Sequence, residues 1–301
     1  MTTEHHEILV LGATGKTGRR LVRRLREHGG LHDHGLRVRA ASRKGETRFD
    51  WDDPGSWDTA LAGAGSVYLI APEDPAPVPG FVDRAVTAGV RRFVVLSGRG
   101  LDRVGPDFGQ GMAAAERAVR ASGVDWAILR ANNFHQNFDE DLWHAPLRAG
   151  RLALPIGAVP EPFVDAEDIA EVAAALLTRP APDTPAAPDA PNTPDGLTAL
   201  GGRTHELSGP QPLTFDEAVD VIARAAGRPM RYVELTPEEY RAELRADGHP
   251  EAAVRALDAL FALHRDGHTA EPTDGVRQVL GREPRSLADY AARAAAAGAW
   301  A

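Results

Sequence analysis

The chain has 301 residues, no cysteine, and 43 acidic against 34 basic side chains, a formal net charge of −9. Without cysteine there are no disulfides, thiolate nucleophiles or cysteine metal sites. The acidic balance argues against a nucleic-acid partner, which would require a basic excess. Residues 1–7 are polar and the first apolar run is too short for a signal peptide. No stretch of about 18 apolar residues could span a bilayer, so the expected setting is the cytoplasm, with no membrane partner.

In chain order, the first element is the apolar run Ile8-Leu9-Val10-Leu11, which ends in Gly12-Ala13-Thr14-Gly15-Lys16-Thr17-Gly18. It reads as a buried strand, a glycine turn and the start of a helix on which Leu21, Val22 and Leu25 share one face. Free N–H groups at that helix start, with the positive end of its dipole, suit a phosphate. The three glycines, spaced by three, are a relative of the dinucleotide fingerprint. A P-loop would need glycine at position 10, which is Val10.

His32 and His34 follow in a loop without a third ligand and read as solvated, so no metal is expected. The second strand, Leu36 to Ser42, runs into Arg43-Lys44. An acid at this strand end would bind the adenosine 2′-hydroxyl of NAD, whereas cations accommodate the 2′-phosphate of NADP. The chain has two lysines, and both, Lys16 and Lys44, fall on the two loops expected to touch phosphate.

Phe49-Asp50-Trp51 reads as a short third strand or its exit, and Pro54 to Leu61 as a short helix. Ser66 to Ile70 is a fourth strand leading into Ala71-Pro72, and a helix around Phe81 to Val86 ends at Gly89. Arg92 to Ser97 is a fifth strand, Met112 to Ala121 a helix, and Trp126 to Arg130 a sixth strand leading into Ala131-Asn132-Asn133-Phe134. This alternation predicts an α/β fold with a doubly wound parallel sheet and right-handed crossovers. Ligands in such sheets sit beyond the carboxyl ends of the strands.

Farther on, Ala170 to Thr178 is expected to be helical, with Asp165 or Glu167 favouring its N-terminus. Residues 179–200 are Pro-rich and read as a flexible loop. A strand at Thr204 to Leu207, a helix opened by the capping box Thr214–Glu217, a strand at Tyr232 to Leu235 and a helix opened at Thr236-Pro237 follow, with mostly helix to Trp300. The expected organisation is a nucleotide-binding domain over 1–155, also receiving 163–178 and the strand at 203–208. Most of 156–301 would form a small C-terminal substrate lobe interleaved with the sheet.

With these elements the chain resembles the NmrA-like atypical short-chain dehydrogenase/reductase family. More narrowly, it resembles the bacterial relatives of the ergot-alkaloid reductase group and the NADPH quinone reductases. The resemblance is carried by Gly12 to Gly18, Phe49-Asp50-Trp51, Gly89-Val90-Arg91-Arg92, Ile128 to Phe134 with Gln136-Asn137-Phe138, Phe163-Val164-Asp165, and Gly202 to Pro210. It implies a Rossmann domain binding NADP(H) and a small substrate lobe. Members of the family reduce quinones, imines and double bonds, or sense the nucleotide without turning it over.

The expected cofactor residues are Gly12, Thr14, Gly15, Lys16, Thr17, Gly18, Ser42, Arg43, Lys44, Asp50, Ala71, Pro72, Ser97 and Phe134. Many relatives reduce carbonyls with a Tyr-x-x-x-Lys pair. Here Tyr68, Tyr232, Tyr240 and Tyr290 are followed four residues later by Pro72, Thr236, Leu244 and Ala294. A quinone or a cationic iminium needs orientation more than an acid. The expected reaction is therefore hydride transfer from NADPH to a small imine, iminium, quinone or enone, with the nicotinamide over the ends of the fourth to sixth strands. Phe134 would flank the ring, and Asn133 and Asn137 would orient substrate or carboxamide. Any proton would come from His135, Tyr68, Ser97 or solvent. Trp143, His144 and Phe163 either line the pocket or pack beneath it, and Asn132 and Asn133 either bind or cap. Glu116 reads as a solvated helix residue or a site residue. Two alternatives stay open: a non-catalytic NADP(H) sensor, and a redox-neutral enzyme performing a cyclisation or dehydration. A monomer or homodimer is expected.

Overall fold

A computed structural model describes residues 6–31, 36–179 and 201–301. The His32/His34 loop and the Pro-rich stretch over 180–200 lie outside the described residues. The elements in order are β1 (His6–Leu11), α1 (Lys16–Leu31), β2 (Leu36–Ser42), β3 (Thr47–Arg48), α2 (Trp57–Leu61), β4 (Ser66–Ile70), α3 (Pro77–Thr87), β5 (Arg92–Gly98), α4 (Gln110–Ala121) and β6 (Asp125–Ala131). Then come α5 (His144–Arg148), β7 (Arg151–Leu154), α6 (Ala166–Leu177), β8 (Arg203–Leu207), α7 (Phe215–Ala226), β9 (Arg231–Glu234), α8 (Pro237–Ala246), α9 (Glu251–Arg265), α10 (Gly275–Leu280) and α11 (Leu287–Ala296).

Seven strands form one sheet in the order β3-β2-β1-β4-β5-β6-β8. The pairs β1–β2, β1–β4, β2–β3 and β4–β5 are parallel. Ile8 to Leu11 are fully buried, as expected of a parallel strand covered on both faces. The strand order reverses at β1, which pairs β2 on one side and β4 on the other. This is the doubly wound nucleotide-binding order, and its switch point lies beyond the carboxyl ends of β1 and β4.

Of the two readings of Phe49-Asp50-Trp51, third strand or its exit, the structure has the exit. The ladder residues are Thr47 and Arg48, whereas the Phe49 N–H turns back to the Ser42 carbonyl at 3.0 Å. The Asp50 carbonyl accepts the Trp57 indole N–H at 2.9 Å, so this backbone serves a side chain instead of a neighbouring strand. Phe49, Trp51, Trp57 and Phe81 meet edge-to-face with centroids 5.0–6.1 Å apart. That cluster belongs to a core with Leu9, Leu69, Val95 and Ile128. Helix α6 starts four residues before the expected Ala170, because the buried Asp165 carboxylate accepts the Glu167 N–H at 2.9 Å.

The chain forms two compact units. The first is 1–97, 111–130 and 170–205; the second is 98–110, 131–169 and 206–301. Within the second, β7 and β9 pair in parallel, and Phe138, Trp143, Phe163 and Phe215 stack into an aromatic core with centroids 4.8–6.3 Å apart.

Candidate functional site

In the first unit, the loop joining β1 to α1 is built from its glycines. Gly12 has φ of 61°, a left-handed value that glycine adopts without strain. The Gly15 N–H closes the turn onto the Gly12 carbonyl at 2.8 Å. A Cβ on Gly18 would lie 2.1 Å from that same carbonyl oxygen, so helix and strand exit meet closely only with glycine there. Thr14 and Gly15 are exposed, and Lys16 opens a helix of 16 residues. The first-turn N–H groups of a helix have no intrahelical acceptor, which with the dipole suits a dinucleotide diphosphate. This backbone fits the cofactor that the sequence implies.

Thr17 is buried, and the Tyr68 hydroxyl donates to its Oγ1 at 3.1 Å. Burial pushes the Tyr68 phenol well above its ordinary pKa. The phenol thus fastens β4 to α1 and is enclosed by protein. At the β2 exit, Arg43 and Lys44 are exposed and make no ion pair among the described residues, while Ser42 is half-buried. Half-buried Asp50 accepts the Asp52 N–H at 3.3 Å. Ala71 and Pro72 are half-buried at the β4 exit. A Cβ on Gly111 would fall 1.7 Å from the Pro72 carbonyl oxygen, so α4 presses its first turn against that exit.

Ser97, at the end of β5, is buried and donates to Glu116 Oε1 at 2.7 Å. Arg130 grips the same carboxylate with two bonds of 2.9 Å, and Arg120 adds one of 3.1 Å. Burial would raise the Glu116 pKa. Hydrogen bonds from Arg130 and Ser97, with the charges of Arg130 and Arg120, outweigh burial and hold it below the ordinary value. Glu116 is therefore the centre of a buried ion network, not a solvated face.

In the second unit, the β6 exit is held by a bridge between Phe134 and Val164, with the Val164 N–H on the Asn133 carbonyl at 2.9 Å. Buried Asn132 accepts from Arg99 at 2.8 Å and donates to Glu161 Oε1 at 2.8 Å. Half-buried Asn133 donates its backbone N–H to Glu161 Oε1 at 3.0 Å, and its amide nitrogen lies 2.8 Å from His264 Nε2. The His264 Nδ1 is 3.1 Å from Glu161 Oε2, without the alignment of a hydrogen bond. Asn137 donates to Asn133 Oδ1 at 3.4 Å.

The structure thus brings Asn133 and Asn137 together, and around them two residues that sequence reasoning missed, Glu161 and His264. His135 is fully buried, 3.8 Å from Asp165 and against the Tyr290 ring. Trp143 and Phe163 are buried in the aromatic core, and His144 Nε2 meets the Ala299 carbonyl at 2.7 Å.

The model of a family described as NAD(P)H-binding matches residues 12–180. The chain is 32% identical to an uncharacterised oxidoreductase, YesF, of Bacillus subtilis, over 97% of this chain and 96% of that one. It is also 32% identical to the NAD(P)H azoreductase of Xenophilus azovorans, over 97% and 99% of the two chains. Its fold is similar to that of an NADPH-dependent quinone oxidoreductase of Escherichia coli solved with NADPH, with a TM-score of 0.72, 18% identity and 95% and 99% of the chains covered. With its glycine loop and reversed strand order, the chain belongs to the NAD(P)H-binding family, in which its relatives include NAD(P)H-dependent reductases.

Proposed function

We propose that this protein is an NADPH-dependent reductase of small conjugated or cationic substrates: imines or iminium ions, quinones, azo compounds or enones. The supporting observation is the chemistry at the β5 exit. The helix where a Tyr-Lys pair would stand carries Gly111, Met112 and Glu116, and the Ser97 hydroxyl and Glu116 carboxylate are committed to each other and to Arg130. A carbonyl reductase needs a proton delivered as the alkoxide forms. An iminium is neutralised by hydride and a quinone spreads the added charge, so neither depends on an enzymic acid. That an azoreductase and a quinone oxidoreductase are among the relatives supports the same class.

When bound, NADPH supplies the hydride. The chain's own contribution is to bind and orient. Gly12 to Gly18 would hold the diphosphate, Arg43 and Lys44 the 2′-phosphate, Ser42 and Asp50 the adenosine half, and Ala71 and Pro72 the nicotinamide half. Asn133 and Asn137 orient substrate or carboxamide.

The test is initial-rate NADPH oxidation with an azo dye, a quinone, a cyclic iminium and a simple aliphatic ketone. Turnover of one or more of the first three, with the ketone inert, is the expected result. NADPH binding without oxidation by any of them would replace the reductase with a nucleotide sensor. Product formation without NADPH consumption would indicate redox-neutral chemistry instead.

A further inference from the structure

The turn after β2 gathers Ser42, Arg43 and Lys44. The Gly45 N–H donates to the Ser42 carbonyl at 3.3 Å, which closes a turn with Arg43 and Lys44 at its centre. The Phe49 N–H donates to the same carbonyl at 3.0 Å, and Ser42 stands opposite Arg48 in the β2–β3 ladder. The Ser42 backbone is thus pinned, and its side chain can only turn about the Cα–Cβ bond. Its hydroxyl makes no hydrogen bond to protein among the described residues, and beside it Arg43 and Lys44 are exposed.

Gly45 decides where that hydroxyl sits. A Cβ at position 45 would lie 2.6 Å from Ser42 Oγ, closer than two such atoms approach. The next atoms, the Ser42 nitrogen and the Ala40 carbonyl oxygen, are at 3.4 and 3.6 Å, ordinary contact distances. Gly45 has no left-handed φ, so its backbone conformation is open to alanine. What glycine supplies here is space, and the serine hydroxyl fills it. Gly18 differs, because a side chain there would strike backbone.

We propose that Gly45 is a positioning residue for NADPH: the missing side chain at 45 lets the Ser42 hydroxyl fold into the turn, where it joins Arg43 and Lys44 as a further donor to the 2′-phosphate. A phosphate group offers several strong acceptor oxygens. The two cations supply charge, and the hydroxyl supplies a short, directed bond to a charged acceptor. An alanine at 45 would rotate the hydroxyl out of the turn and leave both cations in place. NADH carries an uncharged 2′-hydroxyl there and gains little from the same donor, so Gly45 acts on the choice between the two nucleotides. This role rests on the NADPH reading of the turn.

The test is calorimetric titration of NADPH and NADH against the full chain, with a thermal midpoint for each variant. The variants are Ser42→Ala, Gly45→Ala, Ser42→Ala/Gly45→Ala and Arg43→Ala/Lys44→Ala. Ser42→Ala and Gly45→Ala are each expected to weaken NADPH binding roughly tenfold, the loss of one hydrogen bond to a charged group, with NADH affinity unchanged. Ser42→Ala/Gly45→Ala is expected to lose roughly the same tenfold, not the hundredfold of independent effects, because without the hydroxyl a methyl group at 45 displaces nothing. The Gly45→Ala midpoint is expected to stay near that of the wild type, since the only close neighbour can rotate away.

An NADPH-to-NADH ratio unchanged in Gly45→Ala or in Ser42→Ala, an equal loss of both nucleotides, or losses that multiply in the double variant would overturn the role of Gly45. A ratio that falls in Arg43→Ala/Lys44→Ala but not in Gly45→Ala would do so while the NADPH reading stands. A ratio unmoved in both would remove the two together.

Discussion

At the scale of single residues, geometry ranks the glycines. In the loop joining β1 to α1, Gly18 is the glycine whose added Cβ would press closest on backbone, 2.1 Å from the Gly12 oxygen, where no flexible side chain can give way. Gly18→Ala is expected to weaken NADPH binding at least tenfold and to cost about 1–3 kcal/mol of stability from overpacking. A fluorescence titration and a thermal midpoint check both. Asp165 carries a second prediction. It is wholly buried and accepts from Arg293 at 2.9 Å, Gln136 at 2.8 Å and the Glu167 N–H. Burial would raise its pKa, but His135, the Glu167 N–H and Gln136 outweigh burial and hold it well below the ordinary value. The unfolded chain binds this proton at about pH 4. The stabilisation is therefore complete above that value and is lost as pH falls toward the folded-state pKa. Urea midpoints of the wild type should drop in acid more steeply than those of Asp165→Asn, which should be about 2–3 kcal/mol less stable at neutral pH. The glycines are legible in the sequence because only glycine satisfies those backbone demands. Glu161 and His264 are not: one sits between two prolines and the other late on a helix, and no spacing rule connects positions that only the tertiary fold brings to 3.1 Å.

Elements were legible where their signals are local. The capping box at Thr214 forms as read and the helix start read at Thr236 carries a second one, each threonine accepting from the glutamate N–H three residues on and each glutamate reaching back. Thr214→Ala should cost about 1 kcal/mol, seen as a lower thermal midpoint with NADPH affinity unchanged. Elements failed to be legible where tertiary partners compete with local preference. The aromatic run at Phe49 reads as a strand or its exit, and it is the exit because the Asp50 carbonyl is claimed by the Trp57 indole and the rings by the core. Strand β7 went unread because Arg151–Leu154 is too short to show a period, and only its pairing with β9 makes it a strand. Asp165 starts α6 early through a buried carboxylate, which a sequence cannot distinguish from a solvated one.

For the whole molecule, the fold follows from alternation: apolar runs separated by amphipathic helices yield the reversed strand order and put the ends of β1 and β4 at its switch point. The chain crosses several times from one compact unit to the other, a long-range property that composition does not reveal. Fold alone leaves the choice of dinucleotide open, and that choice is proposed to lie with Arg43 and Lys44. Each cation on the 2′-phosphate should contribute roughly a factor of ten in affinity. The most direct measurement is a paired calorimetric titration of NADPH and NADH on wild type and on Arg43→Ala/Lys44→Ala. NADPH binding that is tight in the wild type and falls by roughly a hundredfold in the double variant, with NADH affinity little changed, is the predicted result. Equal binding of the two nucleotides, insensitive to both substitutions, would contradict it.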